Sequence, residues 1–228
     1  MGVHYIGRDK HPQPLRRDRK RWHVQPMSTP AILIEHAAAA LRARRVDEAE
    51  QYARQALEDD CGNVQAAEIL GRALLAKKRA AEAVAALREA ATQSGDPGLQ
   101  TLLAMALLAG GKRDEAVALL REVTARRPPF APALLELAKV LMYMRDYPAA
   151  AEQYRHALVL RPGDAMARIA LGKCLLQMRR QEEGEAALRT VVRTGKNVAG
   201  LALTTLASAP KGRLFLKPSA AAKFLRES

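Results

Sequence analysis

Three acidic pairs, Asp47-Glu48, Asp114-Glu115 and Glu182-Glu183, are the residues closest in type to the paired carboxylates of general acid–base chemistry. The Gly-Lys pairs at Gly111-Lys112 and Gly195-Lys196 lack both the upstream Gly and the following Ser or Thr that a phosphate-gripping loop needs. Among the five His, His4, His11 and His23 lie in a basic, Pro-bearing segment. His36 falls where other parts of the chain place Leu, which predicts partial burial and not ligation; His156 stands apart. Cys174 follows Lys173, a neighbour able to lower a thiol pKa, yet it reads as a small buried core residue, and Cys61 falls in a turn. With no CxxC motif and no Cys/His cluster, neither a disulfide scaffold nor a structural zinc site is expected, and the compartment reads as reducing. No enzyme, cofactor or metal site is predicted.

The elements that would position any site must be helical. Hydrophobic residues make up 49% of the 228 residues but aromatic ones only 4%, so the core must use many small side chains at close spacing. The longest apolar stretches, such as 99–109, fall well short of the ~20 residues that span a bilayer, and no signal-peptide core follows the first basic residues. A soluble, cytoplasmic chain is the expectation.

The net charge of +13 is unevenly spread. Residues 1–26 hold seven Lys and Arg against Asp9 and Asp18, and residues 208–228 hold five against Glu227 alone. Both ends read as basic tails on a nearly balanced body, so the high pI of 10.2 does not by itself indicate a nucleic-acid-binding face. The first tail, with Pro12, Pro14 and Pro26 and no apolar periodicity, is expected to be disordered and dispensable for folding. Met27, ahead of Ser28-Thr29-Pro30, offers an alternative native start. The second tail pairs a short apolar run around Phe215 with a last short helix opened by Pro218.

Between the tails the sequence repeats. Small residues recur at Ala37, Gly71, Ala104, Ala138 and Gly172, again at Ala49, Ala83, Ala116, Ala150 and Gly184, and a third time at Ala56, Ala90, Val123, Ala157 and Val191. Bulky apolar residues keep the same register: Leu70, Leu103, Leu137 and Leu171; Leu74, Leu107, Leu141 and Leu175; Leu87, Leu120, Tyr154 and Leu188. Each unit carries helical spacing twice around a polar break, so each is a helix, a turn and a second helix. Ala or Gly falls where helix axes approach to ~8 Å. The acidic pairs open the second helices, where the helix dipole favours negative charge, and this accounts for them better than catalysis does.

This pattern resembles the tetratricopeptide repeat, a helical hairpin of 34 residues with small residues in three columns and a closing Pro. The fourth unit matches best, through Leu134, Leu137, Ala138, Leu141, Ala150, Tyr154, Ala157 and Pro162; Pro128 closes the third unit likewise. Cys61, Gly95 and Lys196 replace that Pro elsewhere. The resemblance implies an all-α, right-handed superhelical solenoid over 27–207, with repeats near 30–63, 64–96, 97–130, 131–164 and 165–198 and a capping helix at 199–207. Leu201, Leu203, Leu206 and Phe215 are expected to cover the open face of the last unit.

The resemblance also implies a non-catalytic scaffold, adaptor or assembly factor that holds a partner protein's peptide or helix in a concave groove lined by first helices. The exposed column Ala38, Arg72, Met105, Lys139 and Lys173, with Glu68, Glu136, Tyr143 and Gln177 beside it, is the candidate groove, and its cations favour an acidic or amphipathic segment. The family's Asn-based clamp for a C-terminal carboxylate is not present in these helices. Two alternatives stand. One is a nucleic-acid or anionic-surface binder using the tails and a basic ridge of Arg44, Arg45, Lys78, Arg79, Lys112, Arg113, Arg145, Arg179 and Arg180. The other is a regulatory partner of a separately encoded enzyme. The Ala- and Arg-rich composition points to a bacterial source.

Overall fold

The computed structural model describes residues 29–194 and 198–207; the basic segments 1–26 and 208–228, Phe215 included, lie outside them. Eleven helices and no strand occur among the described residues. They are α1 (Pro30–Arg42), α2 (Val46–Asp59), α3 (Val64–Ala76), α4 (Ala80–Ser94), α5 (Pro97–Ala109), α6 (Arg113–Ala125), α7 (Ala131–Tyr143), α8 (Tyr147–Leu160), α9 (Ala165–Gln177), α10 (Gln181–Thr194) and α11 (Ala199–Ala207). Each packs on the next, forming five antiparallel hairpins stacked in chain order.

The turn inside every hairpin is the same device. At the first, Arg45 N–H reaches back to the Ala40 carbonyl and Arg44 N–H to that of Leu41, and the pattern recurs after α3, α5, α7 and α9. These paired bonds satisfy carbonyls left open at the helix end and require a left-handed residue between the helices. That residue is Arg44, Lys78, Gly111, Arg145 or Arg179, with φ between 59° and 80°. Gly takes this conformation without penalty; a side chain costs about 1–2 kcal/mol. Four of the five turns therefore hold a cation at some cost, partly offset by the negative end of the helix dipole.

Three of the four turns between hairpins use side-chain caps, the one before α7 having none. Asn63, Asp96 and Asp164 accept from the backbone N–H of Ala66, Leu99 and Ala167 at 3.0, 2.7 and 2.9 Å, starting α3, α5 and α9. The acidic pairs do lie in the first turns of α2, α6 and α10. They are not caps in the hydrogen-bonding sense, because no side chain caps α2 or α6. Instead Glu48 pairs with Arg45, Asp47 with Lys77, Glu115 with Arg88 and Glu183 with Arg180.

All residues of the three small columns are buried. An added Cβ at Gly71 would meet the Leu87 side chain at 2.6–2.8 Å, and one at Gly184 would lie 3.1 Å from the Gly172 carbonyl oxygen. Backbones thus approach so closely there that only the smallest residues fit.

Two expectations need correction. His36 is exposed, its ring 5.4 Å from that of Tyr52, because among the described residues α1 starts the stack and no earlier hairpin covers that side. At the other end α11 packs on α9 and α10 through Ala202 and Leu206, which are buried with Ile169, Leu176, Leu188 and Val191. Leu203 is half-buried, whereas Leu201 is 43% exposed and takes no part in covering the last unit.

Candidate partner-binding groove

First helices touch successive first helices over the first four hairpins, α1 with α3, α3 with α5 and α5 with α7, while α7 and α9, like successive second helices, do not approach each other comparably. Over these four hairpins the stack therefore curves with its first helices on the inside, and residues on their free faces line the concave wall.

At the N-terminal end of this wall α1 and α3 enclose an open cavity of about 440 Å³. Ile34, Ala38, Leu41 and Ile69 form its apolar floor, and Glu35, Arg42, Glu68 and Arg72 stand around it. Arg72 is exposed but pairs with Glu68 at 2.6 Å, one helical turn away. Lys139 likewise donates to Glu136 at 2.6 Å. Lys173 is exposed with no acidic partner among the described residues, and Gln177 is half-buried one turn on. Met105, 38% exposed, supplies a flexible apolar contact midway. Tyr143 is 75% exposed, and the Arg113 guanidinium lies 5.1 Å from its ring centroid, which ties it to the edge carrying the hairpin turns. The sequence-derived residues thus form adjacent local pairs along a wall and do not converge on a point, an arrangement suited to an extended ligand.

The basic ridge splits into two columns. Arg45, Arg79 and Arg180 are engaged by Glu48, by Glu50 and Glu82, and by Glu183, whereas Lys112 in the same column has no acidic partner among the described residues and Arg113 lies on the Tyr143 ring. The left-handed residues Arg44, Lys78, Arg145 and Arg179 have no acidic partner among the described residues and are exposed. Burial pushes the Cys174 thiol up to about 11 despite Lys173, so it is the inert core residue expected.

One group of charges escaped sequence reasoning. Glu50 is only 4% exposed and receives Lys77 at 2.8 Å, Arg79 at 2.7 Å and Arg54 at 2.7 Å, bridging the first two hairpins. The Lys77 hydrogen bond holds its carboxyl below the ordinary value, against the opposing effect of burial. A carboxyl lowered on folding stabilises the protein above its unfolded pKa, near 4.5, and loses that contribution as the pH falls through the folded value. Glu50→Gln is expected to cost ~1–2 kcal/mol at neutral pH, limited because the cations remain in water. The same substitution should flatten the acid side of the stability profile. Urea titrations between pH 3 and 7 check both; an unchanged profile contradicts the assignment.

No group of three or more His, Cys, Asp or Glu side chains suited to a metal occurs among the described residues, and no described helix is long and apolar enough to cross a membrane.

The family model of the tetratricopeptide repeat matches residues 34–97, 101–140 and 135–199, most of the chain. The chain belongs to the tetratricopeptide repeat family. Among solved structures, a thermophilic tetratricopeptide-repeat protein of Thermus thermophilus, TTC0263, is 18% identical with a TM-score of 0.64, covering 78% of this chain and 99% of its own. A MamA protein is 18% identical with a TM-score of 0.61, over 75% and 93% of the two chains. MamA AMB-1 is 22% identical with a TM-score of 0.59, over 72% and 98%. At these identities the likeness establishes the fold. No curated protein is significantly similar in sequence. Tetratricopeptide repeats generally build protein–protein interaction scaffolds, and the stacked hairpins, curved wall and close-packed columns described above are that architecture.

Proposed function

We propose that the chain is a non-catalytic adaptor or assembly factor that holds an acidic or amphipathic segment of a partner protein along its concave wall. The observation that carries this is the wall itself: an apolar floor at Ile34, Leu41 and Ile69, continued by Met105 on α5, with cations at Arg72, Lys139 and Lys173 rising from the first helices α3, α7 and α9. The salt bridges to Glu68 and Glu136 temper the positive field but leave both cations at the surface, where a partner carboxylate can exchange with the resident one. Alternating charge above an apolar floor suits an amphipathic helix better than a purely acidic strand. The free thiols of Cys61 and Cys174 are in keeping with a reducing compartment, and the cytoplasm is part of this proposal.

Reversing Lys139 and Lys173 to Glu should weaken the partner by ~1–3 kcal/mol with little change in melting. Reversing Arg179 and Arg180 should do little. A ridge reversal that abolishes binding while the groove reversal does not would transfer the function to the basic edge, and the nucleic-acid or anionic-surface reading would take over.

A further inference from the structure

We propose a second docking site on the opposite edge of the solenoid, where a pocket between α6 and α8 takes a large apolar side chain from an acidic segment of a partner protein. The pocket encloses about 330 Å³ between the C-terminal ends of these helices and the first turn of α7, with Ala125, Pro129, Leu134, His156, Val159 and Leu160 among its walls. That volume lies at the lower end of the ~300–1,000 Å³ typical of ligand sites, room for one or two side chains.

It lies at the longest turn between hairpins: α6 stops at Ala125 and five residues, 126–130, pass before α7, against four between α2 and α3, two between α4 and α5 and four between α8 and α9. At the end of α8 two apolar side chains stay at the surface, Val159 77% and Leu160 41% exposed.

Repeat register shows that these apolar residues are peculiar to the fourth hairpin. Residues equivalent to Val159 are Glu58, Thr92, Ala125 and Arg193; those equivalent to Leu160 are Asp59, Gln93, Arg126 and Thr194. Other units keep this edge polar or small, as solubility asks. The surrounding charge changes as well. His156 replaces Gln55, Glu89 and Glu122, and Arg127 and Arg161 stand where the first hairpin has Asp60. Neither Arg127 nor Arg161 has an acidic partner among the described residues, and both are exposed. An apolar floor with a cationic rim selects an apolar anchor flanked by carboxylates. The chain's own apolar run, Leu214-Phe215-Leu216, is flanked by Arg213 and Lys217, the wrong sign for this rim.

The test titrates isotope-labelled full-length chain with a blocked hexapeptide, Glu-Glu-Leu-Phe-Glu-Glu, and with its counterpart carrying Lys for Glu. The expected result is saturable amide shifts confined to 124–127 and 156–161 with the acidic peptide, weaker in added salt and at least tenfold weaker with the Lys peptide. Val159→Asp and, separately, Arg127→Glu should each weaken binding at least tenfold with the melting curve unchanged, while the Lys139 and Lys173 reversals should have no effect. Non-saturable shifts up to millimolar peptide, equal binding of the two peptides, or shifts mapping to Arg72 and Lys173 would overturn the site. A rise in affinity on deleting residues 208–228 would show that the chain's own segment is the occupant, and would overturn it too.

Discussion

Replacing Leu120 by Ala is expected to lower stability by ~2–5 kcal/mol, with the loss felt across the whole stack. Leu120 is fully buried on α6, the second helix of the central hairpin, in register with Leu87, Tyr154 and Leu188. Removing its branched end leaves a cavity in a core made mostly of Ala, Val and Leu, whose short side chains have little reach to refill it. In a stacked array each hairpin gains most of its stability from its neighbours, so a weak central unit uncouples the units on either side. Leu206→Ala, by contrast, removes a similar buried side chain from α11 at the end of the stack and should fray only the last hairpin. Hydrogen exchange read by segment distinguishes the two patterns. Equal, local losses from both substitutions would show that the hairpins are not cooperatively stacked.

Enlarging a small-column residue should do comparable damage by the opposite route. Ala138 is fully buried in the column that includes Gly71 and Gly172. At those two positions even a Cβ comes within 2.6–3.0 Å of Leu87 or Leu188. Leu at position 138 has no space on that side, where the equivalent neighbour is the buried Tyr154, and overpacking is expected to cost ~1–3 kcal/mol or more. Chemical denaturation followed by circular dichroism measures it. A neutral or stabilising effect would mean that this column does not face the neighbouring helix.

The columns were legible in the sequence because close helix approach admits only Ala, Gly or Val, and that restriction recurs at every unit. Positive φ at Arg44, Lys78, Arg145 and Arg179 was not, since nothing in an Arg or Lys announces a left-handed backbone. The one Gly in that register, Gly111, was the available signal. Glu50 was missed although its column reads Glu50, Val84, Val117, Ala151 and Glu185, all buried. A carboxylate at both ends of an otherwise apolar column marks positions where partners must be supplied from nearby, here Lys77 and Arg79 of the next hairpin. Candidate groove residues were placed on first helices by register alone, but their pairing as Glu68 with Arg72 and Glu136 with Lys139 depends on rotamers, which periodicity does not encode.

Site-specific photo-crosslinking in the native cell tests the concave-wall function most directly, with the probe placed at Met105 on the inner wall or at Ala118 on the exposed outer side of α6. The expected result is a discrete partner protein crosslinked from position 105, through an acidic or amphipathic segment identified by mass spectrometry, with little from 118. The same partner crosslinked from position 118 and not from 105 would contradict a function carried by the groove.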